Sequence, residues 1–306
     1  MDPIAFSIGP LDIRWYGIMM ALSMLVGAWV ASAFLRKHGR NGDLVWDGLV
    51  WIIAGGVIGA RVAYVATNLS LFFGPQGDPW EMFKVWHGGL SFHGGIIAGL
   101  LVAYLYFANK DVAFIEVMDA FAPGVAVGVI LVRLGNFMNG DIAGHKWDGP
   151  WAMNFPHDQY HNYGMLTEPV LRHPTELYGM LVGVFCLLVS IVLLNESWVT
   201  KRLPVGSAYL GFVITYSLAR SVIEDPFRDV PLMWQVVDPQ TAGYGLFTYS
   251  QGAAAVLILL ALWGLTQLRR WERLRKEAAA TRAERRERRE SRQVERARKR
   301  EQSKRQ

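Results

Sequence analysis

Cysteine is almost missing: Cys186 is the single one in 306 residues. One thiol cannot form an intramolecular disulfide, and no CxxC or Cys/His cluster offers a metal site. Cys186 reads as a small apolar residue inside a hydrophobic helix. Charge is also scarce, 19% of residues against 52% apolar, and it is unevenly placed. Of 31 Lys/Arg and 26 Asp/Glu, 17 and 7 fall in residues 269–306, which leaves the first 268 with 14 and 19, a net of −5. The basic balance belongs to the tail, and this excludes a basic nucleic-acid-binding body. An internal repeat is lacking too, against the two related halves common in secondary transporters.

What the chain has in abundance is long apolar sequence. Crossing ~30 Å of hydrocarbon takes about 20 helical residues. Seven runs qualify: 15–35, 48–67, 85–109, 112–132, 177–194, 203–219 and 242–268. The first is too long, and lacks the basic n-region and cleavage site, for a removable signal peptide. Lys/Arg asymmetry orients the runs. Arg36, Lys37 and Arg40 follow the first, Lys110 the third, Lys201 and Arg202 the fifth, and the basic tail the last. The alternate connections are mixed or acidic. These features predict an all-α integral membrane protein with seven transmembrane helices, an outside N-terminus and a cytoplasmic C-terminus. A membrane domain would cover 1–268, with an extracytoplasmic head at 135–175, and a basic cytoplasmic tail 269–306 would anchor the topology.

Charged side chains inside spans are costly and mark functional candidates. Here they gather at the outer ends of several runs: Arg133 with Asn136, and Tyr216, Arg220 and Glu224, with His93 at the start of the third run and Tyr16 at the start of the first. Tyr216, Arg220 and Glu224 stand at i, i+4 and i+8, on one helix face, where Arg220 and Glu224 would pair. His93 lies among glycines, and an imidazole exchanges protons near neutral pH. Arg61 reads as structural, with Asp47 or Glu116 as its partner. Gly55/Gly59 and Gly95/Gly99 form small-xxx-small pairs for close helix packing.

Several motifs carry a resemblance. Ile13-Arg14-Trp15-Tyr16-Gly17, Gly89-Leu90-Ser91-Phe92-His93-Gly94-Gly95 and Arg133-Leu134-Gly135-Asn136-Phe137-Met138-Asn139-Gly140 resemble the bacterial prolipoprotein diacylglyceryl transferases. So do Arg172-His173-Pro174-Thr175 with Leu177-Tyr178, and Arg220, Glu224 and Phe227-Arg228. The resemblance runs to about residue 268, and Asp141 stands where the family usually has Glu. It implies an enzyme of the bacterial cytoplasmic (inner) membrane that moves the diacylglyceryl group of phosphatidylglycerol to the lipobox cysteine thiol of a preprolipoprotein. Glycerol 1-phosphate would leave, and no metal or organic cofactor is required.

For that reaction Arg133 and Arg220 are the expected phosphate ligands, since the guanidinium fork matches phosphate oxygens. His93 is the expected base, Glu224 would orient Arg220, and Asn136 and Tyr16 would supply hydrogen bonds. Asp141 would orient a neighbouring arginine or the substrate. The alternative from another class is a secondary transporter whose buried Arg and His bind an anionic solute.

The topology is testable with a cysteine-less background, which needs only Cys186 replaced. A cysteine at Trp147 should react with a membrane-impermeant maleimide from outside, and one at Lys110 only after the membrane is opened. Labelling of the Trp147 position from the cytoplasmic side would overturn the orientation.

Overall fold

The computed structural model describes residues 3–9, 11–75, 77–108, 110–140, 142, 144–155, 171–234, 236–237, 239–274 and 277. Asp141, and the tail beyond residue 277, lie outside them. A hairpin of β1 (Ile4–Ile8) and β2 (Leu11–Arg14) opens the chain and feeds directly into α1 (Trp15–Lys37). Then come α2 (Asp43–Thr67), the short α3 (Leu69–Phe73), α4 (Phe92–Phe107) and α5 (Phe114–Asn139). A two-residue ladder, β3 (Met153–Asn154) with β4 (Leu171–Arg172), precedes α6 (Thr175–Trp198) and α7 (Ser207–Ile223). One turn, α8 (Pro239–Ala242), leads to α9 (Tyr249–Leu274).

Each of the seven apolar runs contains one long helix. Five of these, α1, α2, α5, α6 and α9, are long and apolar enough to cross a membrane. The other two are shorter, α4 with 16 residues and α7 with 17. Helix ends differ from the runs for local reasons. Residues 85–91, expected in a span, form a 3₁₀ turn and a loop, because Gly88 and Gly89 take φ of +83° and +70°. Conversely α5 continues to Asn139, so Gly135–Asn139, expected in a head, are helical; Gly140 then ends the helix in the left-handed region, at φ +68°.

The helices alternate in direction, so their ends fall into two groups. The site end holds Trp15, Thr67, Phe92, Asn139, Thr175 and Ile223. The tail end holds the opposite termini. Packing centres on α5, which lies against α1, α6 and α7, while α2 and α4 form a pair joined to the rest mainly through α1. One apolar cluster joins Ala28, Ala31, Leu35, Val45, Phe107 and Val117, and a second joins Ala122, Ala126, Val182, Cys186, Ala208 and Phe212. Small residues dominate these contacts. A Cβ on Gly59 would strike Ala98 and the Gly94 carbonyl, so α2 and α4 meet backbone to backbone as the glycine spacing predicts. Large apolar side chains point outward instead: Trp29, Trp51, Ile97, Leu181, Leu259 and Trp263 are all exposed. An apolar exterior over a small-residue interior suits helices whose solvent is lipid.

The acidic residues of α5 at the tail end are fully engaged. Glu116 accepts the Ala113 N–H at 2.9 Å and pairs with Arg40 at 2.7 Å. Asp119 accepts from the N–H groups of Gly206 (2.7 Å) and Tyr209 (2.9 Å) and from Trp198 Nε1 (3.1 Å). It therefore caps the first turn of α7 from another helix. Arg61 is buried as expected, but with other partners than Asp47 or Glu116. Its guanidinium donates to the carbonyls of Met82 (2.9 Å), Gly88 (2.6 Å), Gly89 (2.9 Å) and Glu81, and so holds the 81–89 loop onto α2.

Candidate active site

The site grows from the last turns of α5 and α7. Arg133, six residues before the end of α5, is buried and pairs with Glu224, Nη2 to Oε1 at 2.5 Å. Glu224 follows the last residue of α7 and is wholly buried. The sequence expectation gave Glu224 to Arg220, one turn back on the same face. Pro226 changes that geometry. It places a 3₁₀ turn, Asp225–Phe227, directly after α7, so the face ends there and Glu224 turns to α5. Asp225 comes round to Arg220 instead, Nε to Oδ1 at 3.1 Å. The Arg220 guanidinium also reaches the Tyr216 hydroxyl at 3.4 Å.

A third arginine completes the cluster. Arg228 Nη1 lies 3.7 Å from both Glu224 Oε1 and Asp225 Oδ1. Burial, with Arg133 and Arg220 nearby, pushes its pKa below the usual arginine range. Its buried Nε finds no hydrogen-bond acceptor among the described residues. Among the described residues the ion pairs of the cluster set three guanidinium groups, Arg133, Arg220 and Arg228, against the carboxylates of Glu224 and Asp225. An oxyanion is the complement of that arrangement.

Two glycines let the helices close around it. A Cβ on Gly179, in the first turn and a half of α6, would lie 2.5 Å from Arg133 Nε and 2.8 Å from Glu224 Oε2. Any side chain there would displace the pair. A Cβ on Gly135 would lie 3.0 Å from Tyr16 Cα, so this glycine brings the start of α1 against α5. Tyr16 thus stands beside Gly135, with Asn136 buried next in sequence. The structure accordingly brings together Arg133, Glu224 and Arg220, through Asp225 and Arg228, while Tyr16 packs against Gly135 on the α1-facing side of α5 and Asn136 is buried in the same helix. His93 is not drawn in. It is the second residue of α4, exposed, with Phe92 as its ring neighbour at 6.0 Å, and among the described residues it bonds to none of the arginines. Asp141 lies outside the described residues.

Sequence reasoning assigned no role to Asp225, Arg228 or Gly179. The signal for the first two was Pro226, which dictates a turn whose acid and base must fold back on the helix. The 144–147 segment also goes beyond the sequence reading. Its backbone ladders on both sides, with Gly144 N–H to His173 O at 3.0 Å, Trp147 N–H to Leu171 O at 3.0 Å and His145 N–H to Phe227 O at 2.8 Å. Arg172 ties the same segments, donating to Gly144 O (2.9 Å) and Asp229 Oδ2 (3.2 Å). The turn that carries Arg228 is thus fixed by three strands of chain.

His173 stacks on Trp147, ring centroids 4.2 Å apart and planes 9° from parallel. Burial, then the neighbouring His145, push its pKa down to about 4. In the unfolded chain a histidine titrates near 6.5. Neutral His173 therefore contributes stability in full above pH ~6.5, and that contribution is lost as pH falls toward 4. Thermal unfolding between pH 7.5 and 4.5 should show a smaller decline for His173→Phe than for the parent; equal declines would mean that His173 takes up no proton on unfolding.

Comparison with known proteins identifies the family. The family model for prolipoprotein diacylglyceryl transferase matches residues 3–267. The phosphatidylglycerol–prolipoprotein diacylglyceryl transferase of Thermus thermophilus is 37% identical over 286 residues, covering 88% of this chain and 99% of the relative. That of Caldanaerobacter subterraneus is 33% identical (86% and 92% covered), and that of Deinococcus radiodurans 34% (88% and 86%). The helical frame, the buried arginine cluster and this match over most of its length converge: the chain belongs to the prolipoprotein diacylglyceryl transferase family.

Proposed function

We propose that this protein is a membrane-embedded transferase that moves the diacylglyceryl group of phosphatidylglycerol onto the lipobox cysteine of a preprolipoprotein. The observation that carries the reading is the sharing of Glu224 and Asp225 among the guanidinium groups of Arg133, Arg220 and Arg228. In the reaction a C–S bond forms at the glycerol carbon that bears the phosphate. The C–O bond to that phosphate breaks, and glycerol 1-phosphate departs with the electron pair. Negative charge grows on the leaving phosphate, and preorganised cations at low dielectric lower the barrier. Arg133 and Arg220 bind the phosphate, Glu224 orients Arg133, Asp225 orients Arg220, and Arg228 adds a third donor set. Tyr16 and Asn136 contribute hydrogen bonds. Asp141 adds a carboxylate that orients a neighbouring arginine or the substrate.

The thiol proton must go to a base, since the thiolate is the nucleophile. His93 is proposed for that role from the chemistry of the reaction and from the motif it belongs to. Its helix, α4, is one of the two short ones, and α7 with the arginine cluster is the other. At 1.5 Å per residue they span only about 24–26 Å. Both therefore end below the level of a full bilayer crossing, which suits a reaction between a lipid headgroup carbon and a peptide held at the interface. Seven crossings of the bacterial cytoplasmic membrane, with the N-terminus outside, the C-terminus inside and the α5–α6 connection as an outer head, complete the proposal. No observation favours a transporter.

Purified protein in phosphatidylglycerol vesicles, supplied with a lipobox peptide, tests the activity: the peptide should gain the mass of one diacylglyceryl group. Arg220→Ala should abolish transfer without unfolding, Arg133→Ala should abolish it and also cost about 3–5 kcal/mol of stability because Glu224 is left unpaired, and the lysine replacements should also be damaging because the bidentate fork is lost. His93→Gln should lower turnover 10²–10⁴-fold, the usual loss for a general base. Near-parental rates in an alanine variant would remove that arginine from the site.

A further inference from the structure

Beside the arginine cluster lies a second concavity that phosphate chemistry does not use. It is a cavity of about 390 Å³, walled by the rings of Trp147, His173, Tyr178, Phe227 and Tyr244. Among the described residues no charged side chain lines it. The polar atoms of its wall already serve one another: Trp151 Nε1 donates to the Tyr178 hydroxyl at 2.7 Å, and His173 Nδ1 lies 3.0 Å from the same oxygen. Its floor is shared with the cluster. Ile223 and Phe227, which line the cavity, flank Glu224 in the chain, and Tyr178 is followed by Gly179, which abuts the Arg133–Glu224 pair.

We infer that this aromatic cavity is the acceptor subsite, which takes an uncharged apolar side chain close to the cysteine of the incoming polypeptide. The inference rests on the transferase reading above. A charged headgroup would find no partner among the described residues of these walls and would lose its hydration. Acyl chains are a poorer fit than a side chain for two reasons. The volume is at the low end of small-molecule sites, about 300–1,000 Å³, and the walls come largely from connecting segments around 147–151, 173 and 243–244 rather than from between the long helices. The relatives are named for a prolipoprotein acceptor, and a polypeptide thiol must be held in register with the carbon it attacks. An anchored side chain a few residues away supplies that positioning. At ~3.3 Å per residue, a side chain within about four residues of the cysteine bridges two adjoining sites of this kind.

Ala242 sits exposed on the cavity rim in the short α8, so Ala242→Phe fills the space without touching the arginines. Lipobox peptides with each of about four residues on either side of the cysteine changed from Leu to Ala or Asp provide the probe. The parent should prefer Leu at one position by about 10-fold or more in kcat/KM, the usual effect of an apolar side chain in a pocket. In Ala242→Phe that preference should vanish and the peptide KM should rise about 10-fold, with kcat and the phosphatidylglycerol KM unchanged. Trp147→Ala, which opens the wall, should instead broaden the preference toward larger side chains. Preserved discrimination and peptide KM in a folded Ala242→Phe would overturn the subsite, as would a rise confined to the phosphatidylglycerol KM, which would give the cavity to lipid. Direct peptide binding, read by fluorescence anisotropy, separates the two readings. A parent that binds peptide with the Leu preference but transfers nothing keeps the subsite and refutes the transferase; a parent that transfers without any preference does the reverse.

Discussion

The rest of the site depends on one buried ion pair, Arg133 with Glu224, N···O 2.5 Å, between the penultimate turn of α5 and the end of α7. Neither charge can be left alone at that depth. Removing one partner from a buried pair typically costs about 3–5 kcal/mol, so the pair fixes how α5 and α7 meet. Gly179 is required because α6 passes directly over it, and Pro226 because the chain must turn away immediately after Glu224. Once Glu224 is given to Arg133, Arg220 must find Asp225, and Arg228 is left sharing two carboxylates at 3.7 Å, with a buried N–H that meets no acceptor among the described residues. The proposed anion-binding character of the site follows from that sequence of commitments.

The two ends of the helical bundle handle buried charge in opposite ways. At the tail end each acid meets a helix start or a basic partner: Asp119 caps α7, and Glu116 caps its own helix and pairs with Arg40. These arrangements satisfy the carboxylates and hold the frame. At the site end Arg133, Arg220 and Arg228 share the carboxylates of Glu224 and Asp225. In the proposed function the same helices carry structural charge at one end and chemical charge at the other.

Much of the frame was legible in the sequence because lipid imposes a length and a polarity that are written in apolar runs. The seven runs, the small-residue contact of α2 with α4 and the gathering of Arg133, Arg220 and Glu224 at one end could all be read there. Partner choice could not. Spacing at i and i+4 placed Glu224 with Arg220, and it could not show that a 3₁₀ turn at Pro226 hands Glu224 to another helix. Arg61 looked for a carboxylate and found four carbonyls, which no side-chain pattern reveals. The aromatic cavity was invisible because its walls come from connecting segments far apart in the chain. Among the described residues His93 bonds to none of the arginines, so its proposed place in the chemistry rests on its motif.

A structure with phosphatidylglycerol bound in a lipid nanodisc is the most direct measurement of the central claim. The account predicts phosphate oxygens within about 2.7–3.2 Å of guanidinium nitrogens of both Arg133 and Arg220, with the Arg133–Glu224 pair intact behind them. A phosphate held elsewhere, at the Arg61 loop for instance, with the arginine cluster empty of anion, would contradict it.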